Sequence, residues 1–137
     1  MRTRSKLVTV LVVGTAVVLT GWGNSAQAAN KIDKKLASIL GKNVVEAAHP
    51  TAKDISMIDY KEAIPKEGRL VLNIKMKYYG KVSDTKYLAD VKITIDNSSQ
   101  PPKVLDVSYS DDNKIPASKS KLKNIESELT RKLPKTL

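Results

Sequence analysis

The sequence predicts an α+β fold, in which an antiparallel meander of three to four strands carries two amphipathic helices packed on one face, preceded by a cleaved signal peptide. Two central stretches, residues 69–79 and 86–96, alternate apolar and polar side chains as half-buried strands do. Segments with apolar residues at helical spacing flank this centre on both sides. The first 28 residues have the composition of a secretory signal.

Residues 1–28 contain the three parts of a signal peptide. Three basic residues precede an apolar run over residues 7–20, and Ala26-Gln27-Ala28 places small residues where signal peptidase requires them. A membrane anchor would need a longer apolar stretch. A lipoprotein would need a cysteine where Trp22 stands. We therefore expect a protein of bacterial type, secreted or periplasmic, with no transmembrane helix in its mature form.

The mature part, residues 29–137, has the length of a single small domain. The sequence contains no cysteine, which excludes disulfide bonds, thiolate metal sites and thiol catalysis. The domain must therefore be stabilised by packing alone.

Residues 30–40 predict a short amphipathic helix with Asn30 as its N-cap and Gly41 as its end. The residues on its apolar face are Ile32, Leu36, Ile39 and Leu40. The next segment, residues 43–66, is ambiguous, because Val44 and Val45 could extend this helix or start another. Within that segment, residues 54–60 predict an edge strand.

Residues 69–79 and 86–96 predict an antiparallel hairpin. Placing Tyr79 opposite Lys86 makes every inward-facing pair apolar or aromatic. The same register gives two opposite-charge pairs on the outer face, Lys75 with Asp90 and Arg69 with Asp96. Both faces therefore favour one register.

Residues 103–110 predict a third strand of this meander. Its inward-facing residues are Leu105, Val107 and Tyr109, expected opposite Ile95, Ile93 and Val91. The following Asp111-Asp112-Asn113 predicts a polar turn, since it lacks the ligand spacing of a calcium loop. Residues 117–133 then predict the second amphipathic helix, which ends at Pro134.

The outer face of the sheet is expected to be a solvated surface of paired charges. The register also points four less polar residues outward: Val71, Tyr79, Leu88 and Val104. We expect residues 43–66 to pack over them. The alternative is that this face receives a partner protein.

The formal net charge is +10, and the excess of basic residues in the mature part lies in the two helical segments. The candidate binding residues are Lys31, Lys34, Lys35, Lys119, Lys121, Lys123, Arg131 and Lys132. They could attract cell-wall polymers, anionic lipid or nucleic acid, or serve solubility. These segments contain one arginine and no aromatic residue, which disfavours specific recognition of nucleic acid.

The sequence offers little for catalysis. His49 is the only histidine, and its place before Pro50 predicts an ordinary surface residue in a turn. No serine lies in a Gly-x-Ser-x-Gly motif, and no spacing of residues indicates a metal or cofactor site. A non-enzymatic protein is therefore expected.

These observations predict an exported, monomeric binding module. Its expected partner is a protein in the cell envelope or outside the cell, bound as an inhibitor or accessory factor through the sheet edge or outer face. The alternative is electrostatic binding to an anionic envelope component through the two basic helices.

Overall fold

The computed structural model describes residues 32–81 and 84–137, and these form an α+β domain as predicted. The predicted signal peptide and Lys31 lie outside the described residues. The helices and strands are α1 (Lys34–Ala48), β1 (Lys53–Ala63), β2 (Arg69–Tyr79), β3 (Lys86–Asp96), β4 (Lys103–Asp111), α2 (Lys119–Leu122) and α3 (Ile125–Thr130).

The four strands form one antiparallel sheet in the order β1-β2-β3-β4. The predicted register of β2 and β3 is confirmed over their whole length, from Arg69 opposite Asp96 to Tyr79 opposite Lys86. Both predicted charge pairs form, at 3.4 Å between Arg69 Nη1 and Asp96 Oδ1, and at 3.2 Å between Lys75 Nζ and Asp90 Oδ1.

Strand β4 departs from the predicted register at one point. Val107 and Tyr109 lie opposite Ile93 and Val91 as expected, but Val104 rather than Leu105 pairs with Ile95. A β-bulge at this point adds one residue to β4 and reverses the facing of the strand beyond it. The predictions that Leu105 faces inward and Val104 outward are therefore wrong.

Strand β1 confirms the predicted edge strand and extends it on both sides. It pairs with β2 and contains two irregularities, between Lys53 and Ser56 and between Met57 and Asp59. Such bulges, together with lysines, hinder an edge strand from pairing with another chain. Because residues 53–63 lie beside β2 within the sheet, the prediction that residues 43–66 cover its outer face is wrong.

Helix α1 begins later and ends later than predicted. Asp33, not Asn30, is the N-cap, and its Oδ1 accepts a hydrogen bond from Leu36 N at 2.8 Å. Gly41 does not end the helix. It is buried in the middle, where an added Cβ would lie 2.7 Å from Met76 Sδ and 3.1 Å from Ile74 Cγ2. The missing side chain lets the helix lie close to β2.

The second predicted helix is divided into α2 and α3 by Lys123 and Asn124. Asparagine favours capping positions over helix interiors, and here Asn124 is the N-cap of α3. The predicted apolar face is retained, since Ile125 and Leu129 are buried. Thr130, at the end of α3, accepts a hydrogen bond from Val104 N of β4 at 3.0 Å.

The core lies between the helices and one face of the sheet. The inward residues of β2, namely Leu70, Leu72, Ile74, Met76 and Tyr78, are all buried. They pack with buried residues of α1, including Leu40, Val44 and Val45, and with Ile125 and Leu129 of α3. Within the part of the chain that the structure describes, no helix combines the length and apolar character needed to cross a bilayer.

Replacing Gly41 with valine tests the close contact between α1 and β2. The added side chain meets Met76 and Ile74, so we expect the free energy of unfolding to fall by about 2 kcal/mol, as overpacked cores do. Lys42→Val, at the next and exposed position, is the control and should cost about 0.5 kcal/mol through helix propensity. Urea unfolding measures both. Equal losses in the two variants would contradict the close contact.

Candidate functional site

The face of the sheet opposite to the helices carries no described helix or strand, and we call it the open face. It consists of the outward side chains of β1 to β4. Most of its central residues are exposed, among them Asn73, Lys75, Asp90, Lys92 and Ser108. The helices pack on the other face, which leaves this one accessible within residues 32–81 and 84–137.

Two rows of side chains cross the centre of the open face. The mixed row is Asp59, Lys75, Asp90 and Ser110, one residue from each strand in register order. The lysine row, next to it, is Lys61, Asn73, Lys92 and Ser108. Together these eight residues line a shallow depression of about 380 Å³.

The two rows differ in whether their lysine side chains form ion pairs. Lys75 and Asp90 of the mixed row form an ion pair. Among the described residues, no carboxylate forms an ion pair with Lys61 or Lys92 of the lysine row. The lysine row therefore presents two ammonium groups, an amide and a hydroxyl with their hydrogen-bond donors available.

Beyond the central rows, the open face becomes partly apolar. Leu88 is 41% exposed, and Val71 and Tyr79 are half-buried, so these three predicted outward residues are confirmed. At the Arg69 end, hydrogen bonds from Ser98, with the nearby Arg69, hold the pKa of Asp96 below its usual value. The carboxylate of this ion pair therefore stays ionised to a lower pH than that of an isolated aspartate.

The predicted basic residues of the helices are exposed wherever the structure describes them. Lys34 and Lys35 begin α1, Lys119 and Lys121 lie in α2, Lys123 follows α2, and Arg131 and Lys132 follow α3. Lys31 is the one candidate outside the described residues.

The lysines at the start of α1 lie far from those of α2. Ser118 N, just before α2, donates to Ala48 O at 2.8 Å, which places α2 at the far end of α1 from Lys34. The 15 residues of α1 span about 22 Å. Beside α2, Glu46 and Glu128 line a surface depression together with Lys121.

A partly buried polar cluster joins the C-terminal end of α1 to the sheet. We define it as His49, Tyr78, Tyr109, Asp111 and Asn113. His49 is only 8% exposed, so its prediction as a surface residue is wrong. The reason is that α1 ends above the sheet, where the imidazole stacks on Tyr78 with ring centroids 5.4 Å apart. Asp111 ends β4 with its carboxylate facing this ring, rather than lying in a solvated turn.

One carboxylate oxygen holds the polar cluster together. Asp111 Oδ2 accepts hydrogen bonds from Tyr109 Oη at 2.6 Å, Tyr78 Oη at 2.7 Å and His49 Nε2 at 2.9 Å. Burial acts to raise the pKa of Asp111, but the hydrogen bonds from Tyr109 and Tyr78 outweigh it, and the pKa is lowered. Burial and the bonds to Asp111 raise the pKa of both tyrosines, which keeps their hydroxyls as donors.

The geometry of this cluster suits an anchoring role. All three donors converge on a carboxylate that is 7% exposed, and in the described residues no hydroxyl nucleophile hydrogen bonds to His49. Nor do three or more His, Asp or Glu side chains converge as a metal site within the described residues. His49 therefore serves to end α1 and to tie it to β4.

A second polar contact anchors the other end of α1. Tyr60 of β1 hydrogen bonds through its hydroxyl to Glu62, and the hydroxyl also lies 3.2 Å from Ile32 O. Glu62 Oε2 in turn accepts from Ile32 N at 2.8 Å. Burial, followed by the contact with Glu62, raises the pKa of Tyr60. The start of α1 is thus tied to β1 by a tyrosine and a carboxylate.

Comparisons with known proteins give no relative for this chain. No protein family, curated protein or solved structure matches the sequence or the fold. Function must therefore be inferred from the surfaces themselves.

Replacing Asp111 with asparagine tests the anchoring role of the polar cluster. The variant loses charge-assisted hydrogen bonds, and we expect the free energy of unfolding at neutral pH to fall by about 2 kcal/mol. The folded-state pKa is lowered, so the contribution of Asp111 is complete above about pH 4 and declines as the pH falls through that lowered value. Urea unfolding at a series of pH values should show less acid sensitivity in the variant.

Asp106→Asn is the matched control, since it removes the same charge from an exposed residue of β4. It should change the free energy of unfolding by no more than about 0.5 kcal/mol. An anchoring role is ruled out if Asp111→Asn has no larger effect than this control.

Proposed function

We propose that this protein is an exported, non-enzymatic binding module that holds a protein partner on its open face, as an inhibitor or accessory factor in the cell envelope or outside the cell. The observation that carries the proposal is the division of the sheet into two faces. One face is buried under α1 and α3, and the other presents charged, polar and apolar side chains with no described element over it.

The size of the open face suits a protein partner. Four strands about 4.8 Å apart and 9 to 11 residues long give a surface of roughly 700 Å². A specific protein interface buries about 800 Å² on each side. A small molecule would be better held by a deep cleft, whereas the depression of about 380 Å³ here is shallow and polar.

The composition of the open face also supports a protein partner. Leu88, Val71 and Tyr79 supply apolar area near both ends, and the two central rows supply hydrogen-bond donors and acceptors. This mixture of apolar and polar area is typical of non-obligate protein interfaces.

A non-enzymatic role is supported by how the reactive groups are used. The chain has one histidine and no cysteine. That histidine is buried against Tyr78 and Asp111 on the helix side of the sheet, away from the open face. On the open face, Asp90 is paired with Lys75, which favours recognition over acid–base catalysis.

Export is supported by the sequence of residues 1–28, with a basic start, an apolar run and the small residues of Ala26-Gln27-Ala28. The chain has no cysteine, so an oxidising compartment offers no thiol in it to cross-link or oxidise.

The second candidate is electrostatic binding of an anionic envelope component through the helices. Its support is that Lys34, Lys35, Lys123 and the other described residues of this set are all exposed. The acidic residues Glu46 and Glu128, which line a depression together with Lys121, weaken it.

Position-specific crosslinking distinguishes these surfaces, because any introduced cysteine is the only thiol in the protein. Asn73→Cys and Ser108→Cys place a thiol-linked photoprobe on the open face, and Lys42→Cys and Ser127→Cys place it on exposed helix positions. After illumination in the native envelope or culture medium, we expect one protein adduct of the same mass from both open-face positions. The helix positions should give none.

Equal adducts from all four positions would reflect random collision and contradict the proposal. Adducts from the helix positions alone would assign binding to the helix surface. In either case the open face would not be the binding site.

A further inference from the structure

We propose that the lysine row docks an acidic segment of the partner polypeptide, with carboxylates of that segment against Lys61 and Lys92. This inference rests on the proposed function and specifies the chemistry of its partner. It follows from the arrangement of charges on the open face, which is more selective than a general excess of lysines.

The lysine row is a set of donors aligned across four strands. Lys61 lies opposite Asn73, Asn73 opposite Lys92, and Lys92 opposite Ser108. The two lysines are two strands apart, so their backbones are about 10 Å from each other. An ammonium group, an amide, a second ammonium group and a hydroxyl can therefore contact successive acceptors of one extended ligand.

Among the described residues, three charged side chains of the two central rows form no ion pair: Lys61 and Lys92 of the lysine row and Asp59 of the mixed row. Lys75 is paired with Asp90, and Arg69 is paired with Asp96. Among the described residues, Lys61 and Lys92 form no ion pair, although the lysine row is adjacent to two aspartates of the mixed row. A ligand that brings carboxylates to the lysine row would supply the missing partners.

The mixed row argues against a uniform polyanion as the occupant. It lies two residues along the strands from the lysine row, which is about 7 Å. This distance is shorter than the Debye length of about 8 Å at physiological salt, so Asp59, which has no ion-pair partner among the described residues, repels anions bound nearby. A polymer with a charge on every unit cannot avoid this repulsion. A polypeptide can place carboxylates over the lysine row and neutral or basic side chains over Asp59.

The donors present also favour carboxylate over phosphate. Arginine is the residue that grips phosphate with two parallel hydrogen bonds. The arginine on the open face, Arg69, lies at its edge and is engaged with Asp96 at 3.4 Å. The central donors are lysine, asparagine and serine, which have no such fork.

The test uses as its probe a fluorescent peptide in which neutral residues separate the glutamates. Its affinity for the purified protein is measured by anisotropy, at low and physiological salt. The double variant Lys61→Gln/Lys92→Gln is compared with the matched control Lys34→Gln/Lys123→Gln, which removes the same charge from exposed helix positions. We expect the open-face variant to bind the peptide about tenfold more weakly, since two surface ion pairs are lost. The helix variant should lose less than about twofold, because distant surface charges are screened.

Equal losses in the two double variants would overturn the inference, because the peptide would then respond to net charge alone. Inorganic polyphosphate and anionic lipid vesicles serve as competitors. If either displaces the peptide more strongly per charge, with the same dependence on Lys61 and Lys92, the occupant is a phosphate-bearing polymer or a membrane instead.

The peptide experiment and the crosslinking experiment can fail independently, so a failure of this inference can be distinguished from a failure of the proposed function. If crosslinks form from Asn73→Cys while the peptide ignores Lys61 and Lys92, the open face binds a protein but not through an acidic segment. If crosslinks do not form on the open face, the proposed function itself is wrong.

Discussion

The attachment of helix α1 to one face of the sheet is the constraint on which the rest of the structure depends. At its start, Tyr60 and Glu62 hold Ile32, and at its end Asp111 holds His49. Between these ends, Gly41 lets the helix lie directly on Met76. Because its two ends are tied to the edge strands β1 and β4 by partly buried hydrogen bonds, α1 cannot slide or tilt without leaving polar groups unsatisfied. One face of the sheet is therefore covered firmly, and the other is left exposed.

Apolar and polar side chains alternate strictly along β2 and β3, so the covered face and the open face of the sheet have different compositions. Every inward residue of β2 is buried, and the outward ones include Asn73 and Lys75, which are exposed. Slipping the register by one residue would exchange these two sets of side chains, so the register that builds the core also builds the open face. In this way the packing of the core determines which charges lie on the open face. The lysine row and the mixed row exist because three strand pairs keep their side chains in line.

Local pattern was sufficient to predict the centre of this fold. The β2 and β3 strands, their register and both outer ion pairs follow from alternation and charge alone, since the relevant residues are joined by a short loop. The errors occurred where a distant contact overrides a local signal. Glycine often ends a helix, but Gly41 faces Met76 of a later strand. A histidine before proline is usually exposed, but His49 meets Asp111, 62 residues away. Lys61 and Asp59 belong to the open face because β1 pairs with β2. The weak alternation of apolar and polar residues in β1 did not make this pairing clear from the sequence.

The accessibility of the two faces of the sheet is the most direct test of this account. Since the protein has no cysteine, one can be introduced at Asn73 or Lys92 on the open face, or at the buried Ala89 on the covered face, and its reaction with a maleimide followed in the folded protein. The account predicts rapid labelling at the two open-face positions and labelling at Ala89→Cys only after unfolding. Protection at Asn73→Cys and Lys92→Cys in the isolated protein would contradict it, because the open face would then be covered without a partner.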